Sequence, residues 1–134
     1  MALNIKEDGL APLLSNILLD SGFNDTDGCF LFDMSTPEEV IYESLGLPVA
    51  KRVSEIEPVS RFAEPPEYVW LDSFHKIWWQ NLQGFLSQYS SKVVLVSEEL
   101  HGRSHLNLIE MKISDFAFGI CTDFPEIWGG TSGD

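Results

Sequence analysis

The sequence predicts an α+β fold, a single domain in which about three helices pack against a largely antiparallel sheet. Three observations support this prediction. Large apolar side chains recur at helical spacing near 67–89, and the last third of the chain contains short β-branched and alternating runs that are typical of strands. The hydrophobic content of 44% over 134 residues indicates that 1–134 form one globular domain with its own core.

The first predicted elements are a helix and a strand. Leucine and isoleucine recur at helical spacing after Gly9, and Pro12 is compatible with a helix only in its first turn. Gly22 is a typical residue at the end of a helix. The run CFLFDM, 29–34, is short, apolar and aromatic, so it predicts a buried strand.

The stretch STPEEVIYESLGLP carries the signals of a helix with defined ends. Thr36 is predicted to cap this helix in a capping box with Glu39, and Pro37 to occupy its first position. Gly46 is predicted to end it. The residues that follow, 49–58, are compatible with either a strand or an irregular segment.

A long amphipathic helix is predicted near 67–89, with apolar residues on one side and polar residues on the other. The apolar stripe consists of Leu71, Phe74, Trp78, Leu82, Phe85 and Tyr89. Trp70 and Trp79 lie on the flanks of this stripe. The pattern therefore leaves open whether these two rings belong to the core or to an interface with another protein.

The C-terminal third predicts a β-meander. KVVLV, 92–96, is a run of β-branched residues, and HLNLIEMKI, 105–113, alternates between apolar and polar side chains. FAFGIC, 116–121, follows after two residues, which is the length of a tight hairpin loop. The polar, glycine-rich residues 129–134 predict a flexible tail.

The charge of the chain favours a basic protein as its partner. Twenty-one acidic residues outnumber eight basic ones, which gives a formal net charge of −13. Such a surface repels phosphate backbones and anionic lipid headgroups, so we expect no direct binding to nucleic acid or to membranes. The same electrostatic field accelerates the encounter with a basic protein.

Cysteine usage and the lack of targeting signals predict a cytoplasmic protein. Cys29 and Cys121 are far apart in the sequence and lie in apolar runs, which is typical of free thiols in a reducing compartment. The N-terminal residues lack a basic segment followed by an apolar one. No apolar run approaches the roughly 18 residues that a membrane span needs.

The stretch SEELHGRSH places two histidines four residues apart, and it raises the question of a metal site. His101 and His105 would share a metal only on one helical face, but Gly102 interrupts the pair and strand-like runs flank it. A third ligand with suitable spacing is missing from the sequence nearby. We therefore interpret this stretch as a turn in which Gly102 supplies a positive φ, and we expect no metal and no cofactor.

The chain resembles, in kind, the small immunity proteins that bacteria encode beside contact-dependent-inhibition and polymorphic toxins. The segments that carry the resemblance are YVWLDSFHKIWWQNL and ISDFAFGICTDFPEIW, together with the length, the acidity and the lack of catalytic motifs. The resemblance implies a non-catalytic protein that forms a tight one-to-one complex with a cognate toxin domain, often a cationic nuclease. These families share no residue signature, so the resemblance assigns no contact residues.

The residue types themselves predict the contact groups. Carboxylates beside an aromatic anchor would bind arginine and lysine side chains of a basic toxin domain, much as phosphate does. The predicted partner-binding residues are Glu98, Glu99, Asp115, Asp123, Glu126 and Trp128.

Two alternatives remain at this stage. The chain would be a small enzyme or a small-molecule-binding domain if it formed a polar pocket between the long helix and the sheet. The residues to test for that reading are His75, His101, His105 and Asp115. A protein that mimics DNA by its charge fits less well, because the aromatic and apolar content of this chain is high.

Overall fold

The computed structural model describes residues 1–22, 28–58, 62, 64, 66–79, 92–104 and 117–128. These residues form strands and helices, and Glu98–His101 form a short 3₁₀ turn. In chain order the strands and helices are β1 (Ala2–Asn4), α1 (Ala11–Asp20), β2 (Phe30–Phe32), α2 (Thr36–Ser44), β3 (Ala50–Val53), β4 (Tyr68–Leu71), β5 (Lys92–Val96), β6 (Ala117–Cys121) and α3 (Pro125–Trp128). None of the helices in this part of the chain is both long enough and apolar enough to cross a membrane.

All strand pairs of the described residues are parallel, so the prediction of an antiparallel β-meander is wrong. β1 pairs with β2, and β3, β4, β5 and β6 form a second sheet in that order. A single parallel bridge between Leu31 and Val49 joins the two sheets edge to edge. β5 and β6 therefore run in the same direction. The hairpin predicted between 105–113 and 116–121 falls largely on residues outside the described ranges. The fold is an α/β mixture.

The long helix predicted near 67–89 is also wrong where the structure describes it. Tyr68–Leu71 form β4, and its four residues are buried without alternation. A strand covered on both faces is a short continuous apolar run, which periodicity alone does not distinguish from part of a buried helix. Trp70 and Trp79 are both buried, so they belong to the core. The predicted C-terminal part of this helix, 80–89, lies outside the described residues.

The predictions for the first half of the chain hold better. A helix begins at Ala11 with proline in its first turn, and a strand lies within the predicted run 29–34. The second helix begins at Thr36, but Ser35 is its N-cap and no side chain caps it, so the predicted capping box is wrong. The segment 49–58, which was compatible with a strand or an irregular segment, contains the strand β3. The predicted strand 105–113 and tail 129–134 lie outside the described residues.

The sheet buries different side chains on its two faces. One face is covered by α1 and α2 near β2, and by Trp79 and Trp128 near β4, β5 and β6. The other face carries an aromatic cluster in which Phe30 lies 5.0 Å from Tyr68, and Phe32 stacks on Trp70 at 4.1 Å. These rings belong to β2 and β4, and the β3 residue paired with Tyr68 is Ala50, whose small side chain leaves room for the ring of Phe30.

The sheet curves around the aromatic cluster. Parallel strands lie about 4.8 Å apart, so a flat sheet would separate β2 from β6 by about 19 Å. The ring of Phe118 on β6 nevertheless touches Gly28, two residues before β2, so closely that a Cβ atom on Gly28 would lie 2.9 Å from it. Phe118 also contacts Tyr68 edge to face. The two ends of the sheet therefore approach each other over the aromatic face.

We expect Gly28→Ala to be more destabilising than Gly46→Ala. Both glycines have a φ near +70°, where alanine costs about 1 kcal/mol, but only at Gly28 does the new methyl group meet a ring. The atom that the methyl group meets is the tip of the half-exposed Phe118 ring, so the ring must turn aside, which should add about 0.5–1.5 kcal/mol to the loss of unfolding free energy, measured by urea denaturation. In a double-mutant cycle with Phe118→Ala the extra cost should disappear. Equal costs at the two glycines would contradict the close approach of β6.

Candidate functional site

Polar residues follow each strand of the four-stranded sheet, at the point where the strand ends. Because the strands are parallel, these residues gather at one edge, which we call the carboxyl edge. This edge is the usual place for functional groups in open α/β sheets. The residues that follow the strands are Ser54 and Glu55 after β3, Asp72 and Ser73 after β4, Ser97, Glu98 and Glu99 after β5, and Thr122 and Asp123 after β6.

The centre of the carboxyl edge is a carboxylate–imidazole pair. Nε2 of His101 lies 2.6 Å from Oδ1 of Asp72, and the same oxygen accepts a hydrogen bond from the backbone N–H of Ser73 at 2.8 Å. Asp72 is buried, whereas about a fifth of the His101 side chain is exposed. The ring of Phe74 lies 5.1 Å from the imidazole. This pair fastens the 3₁₀ turn after β5 to the end of β4.

A second ion pair lies beside the first. Nη1 of Arg103 lies 2.9 Å from Oε1 of Glu98, and Nη2 donates a hydrogen bond to the backbone oxygen of Ser73. The Glu98 side chain is 3% exposed, so its carboxylate is enclosed by the fold and neutralised by Arg103. Glu98 is therefore a structural residue, and its charge is not presented at the surface for a partner.

The carboxylate of Glu99 is also used within the chain. It accepts hydrogen bonds from the hydroxyls of Ser97 and Thr122, and from the backbone N–H of Asp123 at 3.2 Å. Partial burial opposes ionisation, but these hydrogen bonds outweigh it and lower the pKa of Glu99. Glu99 thus connects the end of β5 with the segment that follows β6.

Glu55 orders the loop that follows β4. Its two carboxylate oxygens accept hydrogen bonds from three consecutive backbone N–H groups, those of Phe74 at 3.0 Å, His75 at 2.8 Å and Lys76 at 3.3 Å. Burial acts to raise the pKa of Glu55, but the backbone donors outweigh it and lower the pKa to about 2. The loop depends on this carboxylate being ionised.

A small pocket of about 150 Å³ lies at the same edge, next to the N-terminus of α2. On one wall Nε of Arg52 lies 2.5 Å from Glu57, and Nη1 lies 3.3 Å from Asp33. The lining residues are Asp33, Met34, Ser35, Thr36, Glu39, Ala50, Arg52 and Glu57. The pocket is smaller than the 300–1,000 Å³ that is usual for organic ligands.

The interpretation as an enzyme required a pocket between the long helix and the sheet. Residues 68–71, which were predicted to belong to that helix, form a strand. Of the residues named for that reading, His75 is exposed and His101 is paired with Asp72, while His105 and Asp115 lie outside the described residues. Burial, and next the charges of Asp123, Asp72 and Glu99, raise the pKa of Cys121, which opposes thiolate chemistry at this edge.

The stretch SEELHGRSH is a turn as far as it is described, and Gly102 has a φ of +70° as predicted. Across the described ranges, no three histidine, cysteine, aspartate or glutamate side chains are grouped to hold a metal ion.

The most exposed part of the carboxyl edge is the segment after β6. Asp123 and Glu126 are exposed there, and the residues that follow them directly, Phe124 and Ile127, are 41% and 40% exposed. We call these four residues the acidic–apolar patch. Trp128 anchors the patch from below, because it packs against the core and its Nε1 lies 3.3 Å from Oγ1 of Thr122.

The six predicted partner-binding residues therefore differ in whether they are exposed or are engaged within the chain. Asp123 and Glu126 are exposed, Trp128 is half-buried, Glu98 and Glu99 are engaged within the chain, and Asp115 lies outside the described residues. Sequence reasoning missed Phe124 and Ile127. The signal was present in TDFPEIW, where large apolar residues alternate with carboxylates in a segment too short to bury them.

Comparisons with known proteins give no relative: no protein-family model, no curated protein and no solved structure matches this chain.

Glu55→Gln should make stability less dependent on pH. The pKa of Glu55 is lowered to about 2 from an ordinary value of 4.5, so the carboxylate contributes fully above about pH 4.5, and this contribution is lost as the pH falls towards 2. We expect the substitution to cost about 1–2 kcal/mol of unfolding free energy at pH 7, and the cost to shrink steadily below pH 4.5. Urea denaturation between pH 3 and pH 7 measures it, with Glu7→Gln as the exposed control. A cost that does not change with pH would rule out this role of Glu55.

Substitution of Glu98 should affect stability much more than substitution of Asp123. Glu98→Gln leaves the charge of Arg103 uncompensated in a largely buried position, which costs about 3–5 kcal/mol. Asp123→Asn changes an exposed carboxylate and should stay within about 0.5 kcal/mol of the wild type. Thermal and urea denaturation of the two variants test this contrast. Similar stabilities would show that Glu98 is not a structural residue.

Proposed function

We propose that this chain is a non-catalytic cytoplasmic binding protein that neutralises a basic protein toxin domain, such as a cationic nuclease, in a tight one-to-one complex. The acidic–apolar patch is the proposed contact surface. The proposal keeps the immunity-protein reading of the sequence, and it moves the contact from Glu98 and Glu99 to the segment after β6.

The observation that carries the proposal is the composition of the acidic–apolar patch. Two exposed carboxylates, Asp123 and Glu126, are each followed directly by a large apolar side chain that is about 40% exposed. Arginine and lysine combine a cationic head with an apolar stem, so such a patch can bind both parts of either side chain. Interfaces between proteins concentrate their binding energy in apolar anchors of this kind within a polar rim.

The patch is held in place before any partner arrives. The carboxylate of Glu99 accepts a hydrogen bond from the backbone N–H of Asp123, and the indole of Trp128 packs against the core. A segment fixed in this way loses little conformational entropy on binding, which favours high affinity. Glu99 and Trp128 are therefore positioning residues.

The net charge supports the choice of a basic partner. At −13, the chain attracts cationic proteins over distances beyond direct contact, and this attraction raises the association rate. Carboxylates that are hydrogen-bonded within the fold still contribute to this field, unless a neighbouring lysine or arginine cancels their charge. Both cysteines, Cys29 and Cys121, are free thiols, which suits the cytoplasmic location of the proposal.

The test uses the basic C-terminal toxin domain that the proposal expects to be encoded beside this gene. Wild-type protein should restore growth to cells that express the toxin domain, and Asp123→Lys with Glu126→Lys should abolish the protection. In stopped-flow measurements the double reversal should slow association at least about tenfold and flatten its dependence on salt. The matched control, Glu7→Lys with Glu64→Lys, changes the net charge equally at exposed sites away from the patch.

Two outcomes would contradict the proposal. If the wild type neither protects cells nor binds the toxin domain, the function is wrong. If protection and association rates respond equally to the patch variant and to its control, the chain binds by net charge alone and the patch is not the contact surface.

A further inference from the structure

A single hydroxyl group lies at the base of the acidic–apolar patch, that of Thr122 directly after β6. It donates a hydrogen bond to Oε1 of Glu99. It also accepts two hydrogen bonds, from the backbone N–H of Phe124 at 3.1 Å and from Nε1 of Trp128 at 3.3 Å. A hydroxyl has one proton and two lone pairs, so the hydrogen-bonding capacity of Thr122 is fully used.

The carboxylate of Glu99 sets the direction of these hydrogen bonds. Partial burial opposes its ionisation, but the groups that donate to it outweigh burial and lower the pKa of Glu99, so it is ionised at neutral pH. An ionised carboxylate only accepts hydrogen bonds, so the hydroxyl of Thr122 must direct its proton at Glu99. The lone pairs of the hydroxyl oxygen are then left for the N–H groups of Phe124 and Trp128.

The three groups bound to this hydroxyl belong to different parts of the structure. Glu99 lies in the 3₁₀ turn after β5, Phe124 is one of the apolar residues of the patch, and Trp128 packs against the core. The backbone oxygen of Phe124 in turn accepts a hydrogen bond from the N–H of Ile127 at 3.1 Å. The hydroxyl of Thr122 therefore ties both ends of the segment that carries the patch to the end of the sheet.

We propose that Thr122 is a further positioning residue of the acidic–apolar patch: its hydroxyl orders the segment 123–127 in the free protein and so prolongs the lifetime of a complex with a partner. The effect on a partner rests on the proposed function, whereas the ordering of the segment does not. A segment that is already ordered loses less conformational entropy on binding. Because Thr122 carries no charge, it acts on dissociation more than on the encounter, which net charge controls.

Hydrogen exchange of the free protein, followed by NMR, tests the ordering of the segment. Thr122→Val keeps the shape of the side chain and removes the hydroxyl. It should accelerate exchange at the backbone N–H of Phe124 and the indole N–H of Trp128 by about three- to tenfold. The N–H of Leu95, in the central strand β5, is the reference for opening of the whole fold, so a general loss of stability is distinguished from loosening of this segment.

Two variants serve as controls for the exchange experiment. Thr122→Ser retains the hydroxyl and should keep the exchange rates within about twofold of the wild type. Thr36→Val makes the same chemical change at an exposed threonine at the start of α2, and it should leave the exchange at Phe124 and Trp128 unchanged. Melting temperatures of all three variants check that each one folds.

Binding kinetics with the toxin domain of the functional test measure the effect on a partner. Thr122→Val should raise the dissociation rate constant about three- to tenfold and leave the association rate constant within about twofold of the wild type. Thr122→Ser should restore the slow dissociation. The charge reversal at Asp123 and Glu126 has a different signature, because it slows association. Rates are compared at a temperature at which every variant is folded, so a lower stability alone does not produce this split.

The inference is overturned if Thr122→Val leaves exchange at Phe124 and Trp128 unchanged relative to Leu95, or if Thr122→Ser accelerates it as much as Thr122→Val does. It is also overturned if Thr122→Val leaves the dissociation rate of a bound toxin domain unchanged. If the wild type does not bind the toxin domain at all, the proposed function fails, and the exchange rates alone decide whether Thr122 orders the segment.

Discussion

The common direction of the strands is the constraint on which the rest of this structure depends. Parallel strands need crossovers between them, and helices α1 and α2 and the buried Trp79 lie on one face of the sheet. The two central strands, β4 and β5, are covered on both faces, so β4 is buried along its whole length. The same direction brings the polar residues that follow each strand to a single edge.

At the carboxyl edge, only some of the acidic residues have carboxylates that are exposed and able to contact a partner. The chain has 21 acidic residues, but several of those at this edge hold the fold together. Glu55 orders a loop through three backbone N–H groups, Glu98 neutralises Arg103, and Glu99 joins two strand ends. The exposed Asp123 and Glu126 are of a different kind, because their carboxylates face solvent. Burial and hydrogen bonding, more than the number of carboxylates, decide which of them can meet a partner.

The sequence predicted several local elements, but it missed the strand β4 and the parallel pairing of the strands, for physical reasons. The first helix and the strand at β2 carry their own signals in glycine, proline and short apolar runs. The direction of a strand is set by distant partners, so KVVLV was identified as a strand but its parallel pairing with β6 was not predicted. At the candidate site, exposure separated Asp123 from Glu98, and exposure depends on tertiary contacts that the residue type does not encode.

The contact between Phe118 and Gly28 joins two segments from near opposite ends of the chain. During synthesis on the ribosome, Gly28 and the rings of β2 emerge long before β6 does. The nascent protein therefore carries an uncovered aromatic surface until β6 arrives, and pairings this distant in sequence form slowly. The arrival of β6, more than any early helix, sets the moment at which this surface is protected from aggregation.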